Sequence, residues 1–509
     1  MKKESVAYTR SVHTWLEKSS KNRKIAAIGG LGVASFIFLI FSSDLSIFRI
    51  LITTLWLEIL LYCSFAFKSR LTLFLFTGCF GLFLLWRDNL GLGWGYRVTE
   101  LNTTGNPHTD IALFLALSSV IIGFLLAPKL SKIISEYGFA NKHFHHISTP
   151  KWLSKKNIQS TTISLFLIIA LPLISLTLYK IYIVFKAGYL AQFTGDTNNS
   201  YFPETFQTLL TSLEIGFNLC YFILISTRPT RRVFISTTTA WMFFLTLTLA
   251  TGRRTQFFTA ILVLIVIIPN FFPITRELSR RAKAIVTSVV IAVIIGVAGL
   301  GQFVELRRRH SSQTYTTSNN FLLDFLFNQG ISVTVIRNGY TLADHISNAH
   351  FYTFPFLRTG LFARLRGIQV NHGNTTERAL DGSSYSHALS YAVLPRSGYQ
   401  SGMGVGGCYI AEAYQDFSYA GVILSSLLIG LLLYWCSTYS ANSPIISGIK
   451  ILILSELFFT PRGSTLHFIA TLLSPSSILT ITGIIVCTFL LGKYLPRVSL
   501  IAAKKDQNE

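Results

Sequence analysis

The sequence predicts an all-α fold: a polytopic membrane helical bundle of about twelve transmembrane helices with one large loop on the outer side. Three observations predict it. Half of the 509 residues are hydrophobic, only 13% are charged, and phenylalanine occurs 41 times. The apolar residues fall in runs of the length a bilayer requires, about 17–25 residues. Basic residues alternate in step with those runs: segments 1–24, 68–70, 128–157, 228–232, 274–283 and 493–509 hold 26 basic and 6 acidic residues, whereas the alternate segments hold 15 and 13. Lysine and arginine collect on the cytoplasmic side of a membrane protein, so the alternation orients the spans and places both termini in the cytoplasm. The net charge of +22 therefore reports topology and implies no nucleic-acid partner.

The elements follow in order. Residues 25–42 resemble a signal sequence, but no small-residue cleavage pattern follows and 45–67 comes at once, so the first run reads as a retained anchor. Further spans are expected near 71–86, 110–127, 158–185, 205–227, 233–250, 257–274 and 284–304. After this ninth span the loop 305–417 intervenes, and spans near 418–438, 445–460 and 475–492 close the chain. The organisation expected is thus 1–304 for the first nine spans, 305–417 for the outward loop, and 418–509 for the last three spans and a cytoplasmic tail. A loop of that length carries function or disorder, and its aromatics, among them Phe351, Phe354, Phe356 and Phe362, speak against disorder. Phe321 to Ile336 mixes apolar residues with Asp324 and Gln329 and is expected as an amphipathic helix at the interface. No internal repeat is visible, so a transporter built from two matched halves gains no support.

Several chemistries lack their residues. There is no P-loop, no Asp-x-Asp pair and no His-Glu-x-x-His. The six cysteines are scattered, five of them in expected spans, and indicate neither a disulfide framework nor a zinc site. No metal and no cofactor is expected. His143, His145 and His146 lie in a cytoplasmic loop and read as solvated.

What remains is a surplus of arginine. Between Lys283 and Lys450 the chain has nine arginines (Arg307, Arg308, Arg309, Arg337, Arg358, Arg364, Arg366, Arg378 and Arg396) and no lysine. A guanidinium grips phosphate or carboxylate as a two-pronged fork, which an ammonium cannot do. Two short outward turns add to them. Thr251 to Gln256 holds Arg253 and Arg254 at the membrane boundary, where phosphate is the natural partner, although snorkelling to headgroups accounts for them as well. Pro461 to Ser464 holds Arg462, with Glu456 about a turn and a half deeper. An intramembrane carboxylate is functional by default, unless it merely pairs with an arginine, and Glu58 and Glu214 fall under the same rule.

The most informative stretch is Gly402 to Gly421, where glycines, including Gly406 and Gly407, give way to a helix start. Glycines let backbone amides approach an anion, and a helix N-terminus adds positive potential. A helix beginning near Tyr409 puts Glu412 and Asp416 one turn apart on one face, although acids at a helix start are also favoured by the dipole alone. His310, His345, His350, His372 and His387 in the large loop are possible bases near neutral pH.

In its layout, in Gly252-Arg253-Arg254 and in the glycine-rich run from Gly404 to Gly421, the chain resembles the Wzy-type O-antigen polymerases. Arg396 and Gly407 also fit the spacing of arginine, ten residues, then glycine seen in some members; a second such match in another outward loop is absent. The resemblance implies an enzyme of the bacterial inner membrane. It transfers a repeat unit from undecaprenyl diphosphate to a second lipid-linked unit on the periplasmic side, so the large loop is periplasmic. Its partners are the undecaprenyl-diphosphate-linked oligosaccharide and membrane lipid, with a chain-length regulator protein also admitted. In that reading Glu412 is the first choice of general base and His387 the second; Arg253, Arg254 and Arg396 bind diphosphate, Arg462 supports them, and Asp416, Glu456, Gly406 and Gly407 shape the site. An O-antigen ligase, which shares the lipid-diphosphate donor, a lipid-linked oligosaccharide flippase and a chain-length scaffold remain as alternatives.

Overall fold

The computed structural model describes residues 47–93, 105–136, 154–187, 203–271, 321–346, 351–358, 360–368, 371, 373–438 and 443–505. The expected spans at 25–42 and 284–304, both termini, Arg307 to His310, His143 to His146, His350 and His372 lie outside them. Among the described residues every regular element is helical. Eight helices are long and apolar enough to cross a membrane, and the polytopic helical class is as expected.

The first group of helices is α1 (Ile47–Ser64), α2 (Phe67–Phe80), which runs through a π-turn at Gly81–Leu85 into α3 (Trp86–Gly93), and α4 (Gly105–Glu136). The second is α5 (Lys155–Ala187), α6 (Glu204–Ser226), α7 (Arg231–Ala250) and α8 (Arg254–Phe271). The last spans are α15 (Tyr409–Ser437), α16 (Pro444–Leu457) and α18 (Pro475–Lys505), with α17 (His467–Leu472) between the latter two. α16, at 14 residues, is shorter than the span expected at 445–460 because Pro461 and a 3-10 turn at Thr460–Arg462 end it early. Ile168, Leu171 and Phe185 on α5 leave 67%, 74% and 74% of their surface uncovered, as lipid-facing positions do.

α15 packs most extensively on α4, and α16 on α6. The first contact depends on missing side chains. A Cβ at Gly430 would stand 2.2 Å from the Val120 carbonyl oxygen, and one at Gly123 would stand 2.3 Å from that of Leu427. In lipid, where apolar burial does not drive association, such backbone approach is what holds helices together.

The segment expected as the outward loop is folded into short helices where it is described. It contains α9 (Phe321–Gln329), α10 (Val333–Thr341), α11 (Gly360–Leu365), α12 (Thr376–Leu380), α13 (Tyr385–Val393) and α14 (Arg396–Gln400). The expectation of one interfacial helix over 321–336 is corrected: a 3-10 turn at Gly330–Ser332 divides it, and α10 enters the bundle against α4 and α15. Its pattern is amphipathic because one face is charged for an internal partner. Arg337, fully buried, donates through Nη2 to Asp88 Oδ2 at 2.8 Å, and Arg49 reaches the same oxygen at 2.8 Å. Arg49 also pairs with Asp110, and Arg337 Nε donates to Asn106. Four helices are joined through this one network.

The Gly430→Val substitution tests the close α4–α15 contact. It is expected to cost about 1–3 kcal/mol, the usual penalty of overpacking, seen as a lowered melting temperature in detergent, while Val422→Ala on the same helix leaves the two helices in register.

Candidate functional site

The glycine run delivers the chain to α15 with Gly402 and Gly406 at φ +97° and +85°. α15 itself is two helices joined at a kink, Phe417 and Ser418, where Ser418 takes φ 51° and ψ −149°. The short first piece therefore carries Glu412 and Asp416 on one side, as their spacing requires, and the long second piece supplies most of a helix long and apolar enough to cross a membrane.

Both carboxylates are buried and both bind backbone from elsewhere. Glu412 Oε1 accepts from Ser464 Oγ at 2.9 Å, and Oε2 accepts from the Thr465 amide at 2.9 Å. The Thr465 hydroxyl stands 3.3 Å from both Oε2 and the Tyr409 carbonyl, so its single proton serves one or the other. Asp416 accepts from the amides of Phe351 and Thr353 at 3.3 and 2.7 Å. Glu412 thus fixes the turn that follows Arg462, and Asp416 fixes the aromatic segment 351–353, with Phe351 held at φ 128°. Oε1 keeps an acceptor position of its own, and the residue over it is Gly407, where a Cβ would lie 3.9 Å from that oxygen.

Arg462 emerges from the turn with Nη1 donating to Gln329 Oε1 at 3.0 Å and its guanidinium 5.8 Å from the Phe83 ring centre. Phe83 sits in the π-turn of the α2–α3 helix and touches Phe258 on α8, one turn below Arg254. π-turns are frequent at functional sites. Arg462, the glycine run and Glu412 accordingly form one assembly, with α8 adjoining it through Phe83.

The other expected residues lie around this centre. Arg253 is half-buried, and its Nη1 holds both oxygens of Glu214 at 3.1 and 3.0 Å, with Gln256 on the same carboxylate at 3.2 Å. Glu214 therefore has the structural partner that its intramembrane position demands. Glu456 stands 4.0 Å from His467 Nε2 rather than against an arginine. Arg396 is exposed at the start of α14, 6.0 Å from the Tyr391 ring centre. His387, on α13, has Nδ1 2.9 Å from the Tyr399 hydroxyl. α13 lines the glycine run with its other face: Ser390 Oγ accepts from the Val405 amide at 3.0 Å, and Ser386 lies 3.8 Å from where a Gly407 Cβ would be.

Burial pushes the His387 imidazole down to about 4, with the nearby Arg378 adding to the effect and Asp381 opposing it. The ring is neutral at physiological pH and a weaker base than an ordinary histidine. Burial pushes the Tyr399 phenol up to about 12, so it remains a neutral hydrogen-bonding partner.

A family model described as O-antigen polysaccharide polymerase Wzy matches residues 28–494. The chain belongs to that family. It is a multi-pass membrane glycosyltransferase, an O-antigen polymerase of the inner membrane acting on lipid-linked oligosaccharide repeat units. No curated protein and no solved structure matches it.

Sequence reasoning missed two parts of this polymerase's architecture. Thr465 lies one residue beyond the Pro461 to Ser464 turn, and nothing in its type marks it as the anchor of Glu412. Asp88, at the end of a span beside Arg87, carried the intramembrane-acid signal that would have pointed to the Arg337 and Arg49 network.

The lowered value of His387 has a consequence for stability. A histidine whose folded value is about 4 against an ordinary 6.5 binds its proton more readily in the unfolded chain, so its contribution is fully present above 6.5 and is lost as pH falls towards 4. Melting temperatures in detergent are expected to fall more steeply over that window for the wild type than for His387→Gln.

Proposed function

We propose that this polymerase joins undecaprenyl-diphosphate-linked repeat units at the periplasmic face by metal-independent glycosyl transfer, with both termini in the cytoplasm and residues 305–417 forming the periplasmic loop. The observation that carries the reading is the assembly of Glu412, Gly407 and the Arg462 turn. Oε1 of Glu412 has an acceptor position beneath a residue without a side chain, and the same carboxylate fixes the Ser464 hydroxyl and the Thr465 amide, two and three residues after an arginine. In this reading Glu412 takes the proton of the acceptor hydroxyl as that oxygen attacks the anomeric carbon, and the sugar–phosphate bond breaks to leave the lipid diphosphate.

Negative charge grows on the departing diphosphate as that bond lengthens. Guanidinium groups already in place stabilise this charge more in the transition state than in the bound substrate. Arg462 is tied to Glu412 through its turn, because Ser464 and Thr465 are held by that carboxylate. Arg254, adjoining through Phe258 and Phe83, and Arg253, already held by Glu214, serve the lipid side; Arg396 at the loop surface meets the incoming head group. Asp416 holds the 351–353 segment over the site, Gly406 and Gly407 keep the approach open, and Glu456 supports the turn from below. His387 is the alternative base. A chain-length regulator protein is proposed as a partner at the outer face.

The test is a lipopolysaccharide gel from the source bacterium with the gene deleted and then restored as wild type or Glu412→Gln. Loss of a general base costs about 100- to 10,000-fold, so the variant is expected to give core bearing a single repeat unit and no ladder, with membrane levels of protein unchanged. A normal ladder from Glu412→Gln would overturn its role as base. Core without any repeat unit in the deletion strain would overturn polymerisation in favour of ligation or flipping.

A further inference from the structure

A polymer occupies more space than its reacting end, and the outward loop holds a second polar cluster one helix face away from Glu412. On α13, Ser386 and Ser390 face the glycine run. His387 and Tyr391 come next around the helix and meet Tyr399 of α14, His387 through its Nδ1 at 2.9 Å and Tyr391 ring to ring at 5.6 Å. The fully buried Tyr399 is fixed by its neighbours: Asn374 Nδ2 donates to its carbonyl at 2.8 Å and to that of Met403 at 2.9 Å, and its hydroxyl lies 3.3 Å from the Thr375 carbonyl. That hydroxyl has one proton, and when it goes to Thr375 the imidazole donates from Nδ1 and keeps its lone pair on Nε2.

Arg378 of α12 belongs to the same cluster, within electrostatic reach of His387, Tyr399 and Asp381. Its side chain is half-buried, yet among the described residues Nη1 to the Gly373 carbonyl at 3.1 Å is the one hydrogen bond its guanidinium makes, out of five donors. The Asp381 carboxylate is directed elsewhere, accepting from the Ser383 amide at 2.7 Å and from Asn371 Nδ2 at 3.2 Å. The cluster thus has a hydrogen-bonded frame around Tyr399 and beside it a guanidinium fork, an imidazole nitrogen and the half-buried Tyr391 ring, 6.0 Å from the Arg396 guanidinium.

We propose that Arg378, His387 and Tyr391 form a saccharide subsite, which holds sugar residues of the repeat unit behind the end that reacts at Glu412. The chemistry fits a glycan rather than a lipid phosphate. Fork donors and a neutral imidazole suit ring hydroxyls, or the carboxylate of an acidic sugar, and an aromatic face suits the apolar face of a pyranose. A chain lying along α13 passes from the glycine run to this cluster by turning onto the adjacent helix face. The assignment rests on the proposed polymerase reaction and adds to it the residues that choose the sugar.

The test uses the full-length protein in detergent. Saturation-transfer NMR with the lipid-free repeat-unit oligosaccharide is expected to show binding to wild type and to Glu412→Gln, and its loss in Arg378→Ala. In polymerisation assays Arg378→Ala is expected to raise KM for the lipid-linked unit about tenfold and to leave kcat within about threefold, as loss of uniform binding does. Native mass spectrometry should show undecaprenyl diphosphate bound equally by both proteins. Should Arg378→Ala fail to accumulate, Arg378→Lys replaces it: a lysine keeps a donor towards Gly373 and loses the fork, and the same loss of oligosaccharide is expected. Oligosaccharide binding and KM unchanged in either variant would overturn the subsite while leaving the polymerase reading intact. No oligosaccharide binding by wild type would count against both.

Discussion

The carboxylate of Glu412 is the point on which the arrangement around the head of α15 turns. It is almost wholly withdrawn from solvent, and a buried carboxylate is tolerated only where donors converge on it. Here they come from Ser464 and Thr465, more than fifty residues along the chain, so one side chain binds the head of α15 to the turn that ends α16. That bond sets where Arg462 stands, and through Gln329 it sets where α9 ends. It also leaves one oxygen facing the bare backbone of Gly407. A side chain that anchors a turn and presents a lone pair to a gap can serve structure and proton transfer together.

The same logic governs the second buried centre. Asp88 holds Arg337 and Arg49 at equal distances, and removing one partner from such a group usually costs about 3–5 kcal/mol. This network brings α10, a part of the long segment between the spans, into the bundle. α10 in turn meets α13 at Gly339, where the Tyr385 hydroxyl fills the space a side chain would need. The loop thus meets the bundle through Arg337 and Asp416, and the Tyr385 contact ties the lobe carrying Arg378 and His387 to α10. A rigid lobe suits an enzyme that must align two bulky lipid-linked chains, because orientation supplies much of the rate when the reactants are large.

The fold class was legible because the bilayer imposes length and polarity on every span. Each expected span within the described residues is a helix, and the Glu412 to Asp416 spacing gave a shared face because α15 starts where the glycines end. The kink at Phe417 and Ser418 explains why the sequence suggested two beginnings, one near Tyr409 and one at 418. The partners were not legible. Arg253 with Glu214 and Arg337 with Asp88 are separated by 39 and 249 residues, and nothing in either local pattern selects one opposite charge over another. The 321–336 segment misled for a related reason: one charged face looks the same in sequence whether it meets water, headgroups or a buried aspartate.

The central claim is that Glu412 moves a proton during glycosyl transfer. The most direct measurement is the rate of a single transfer between lipid-linked units by the purified enzyme in H2O and in D2O. The account predicts slower transfer in D2O for the wild type and no such difference in the residual activity of Glu412→Gln. Equal rates in the two solvents for the wild type, or a difference that survives the substitution, would contradict it.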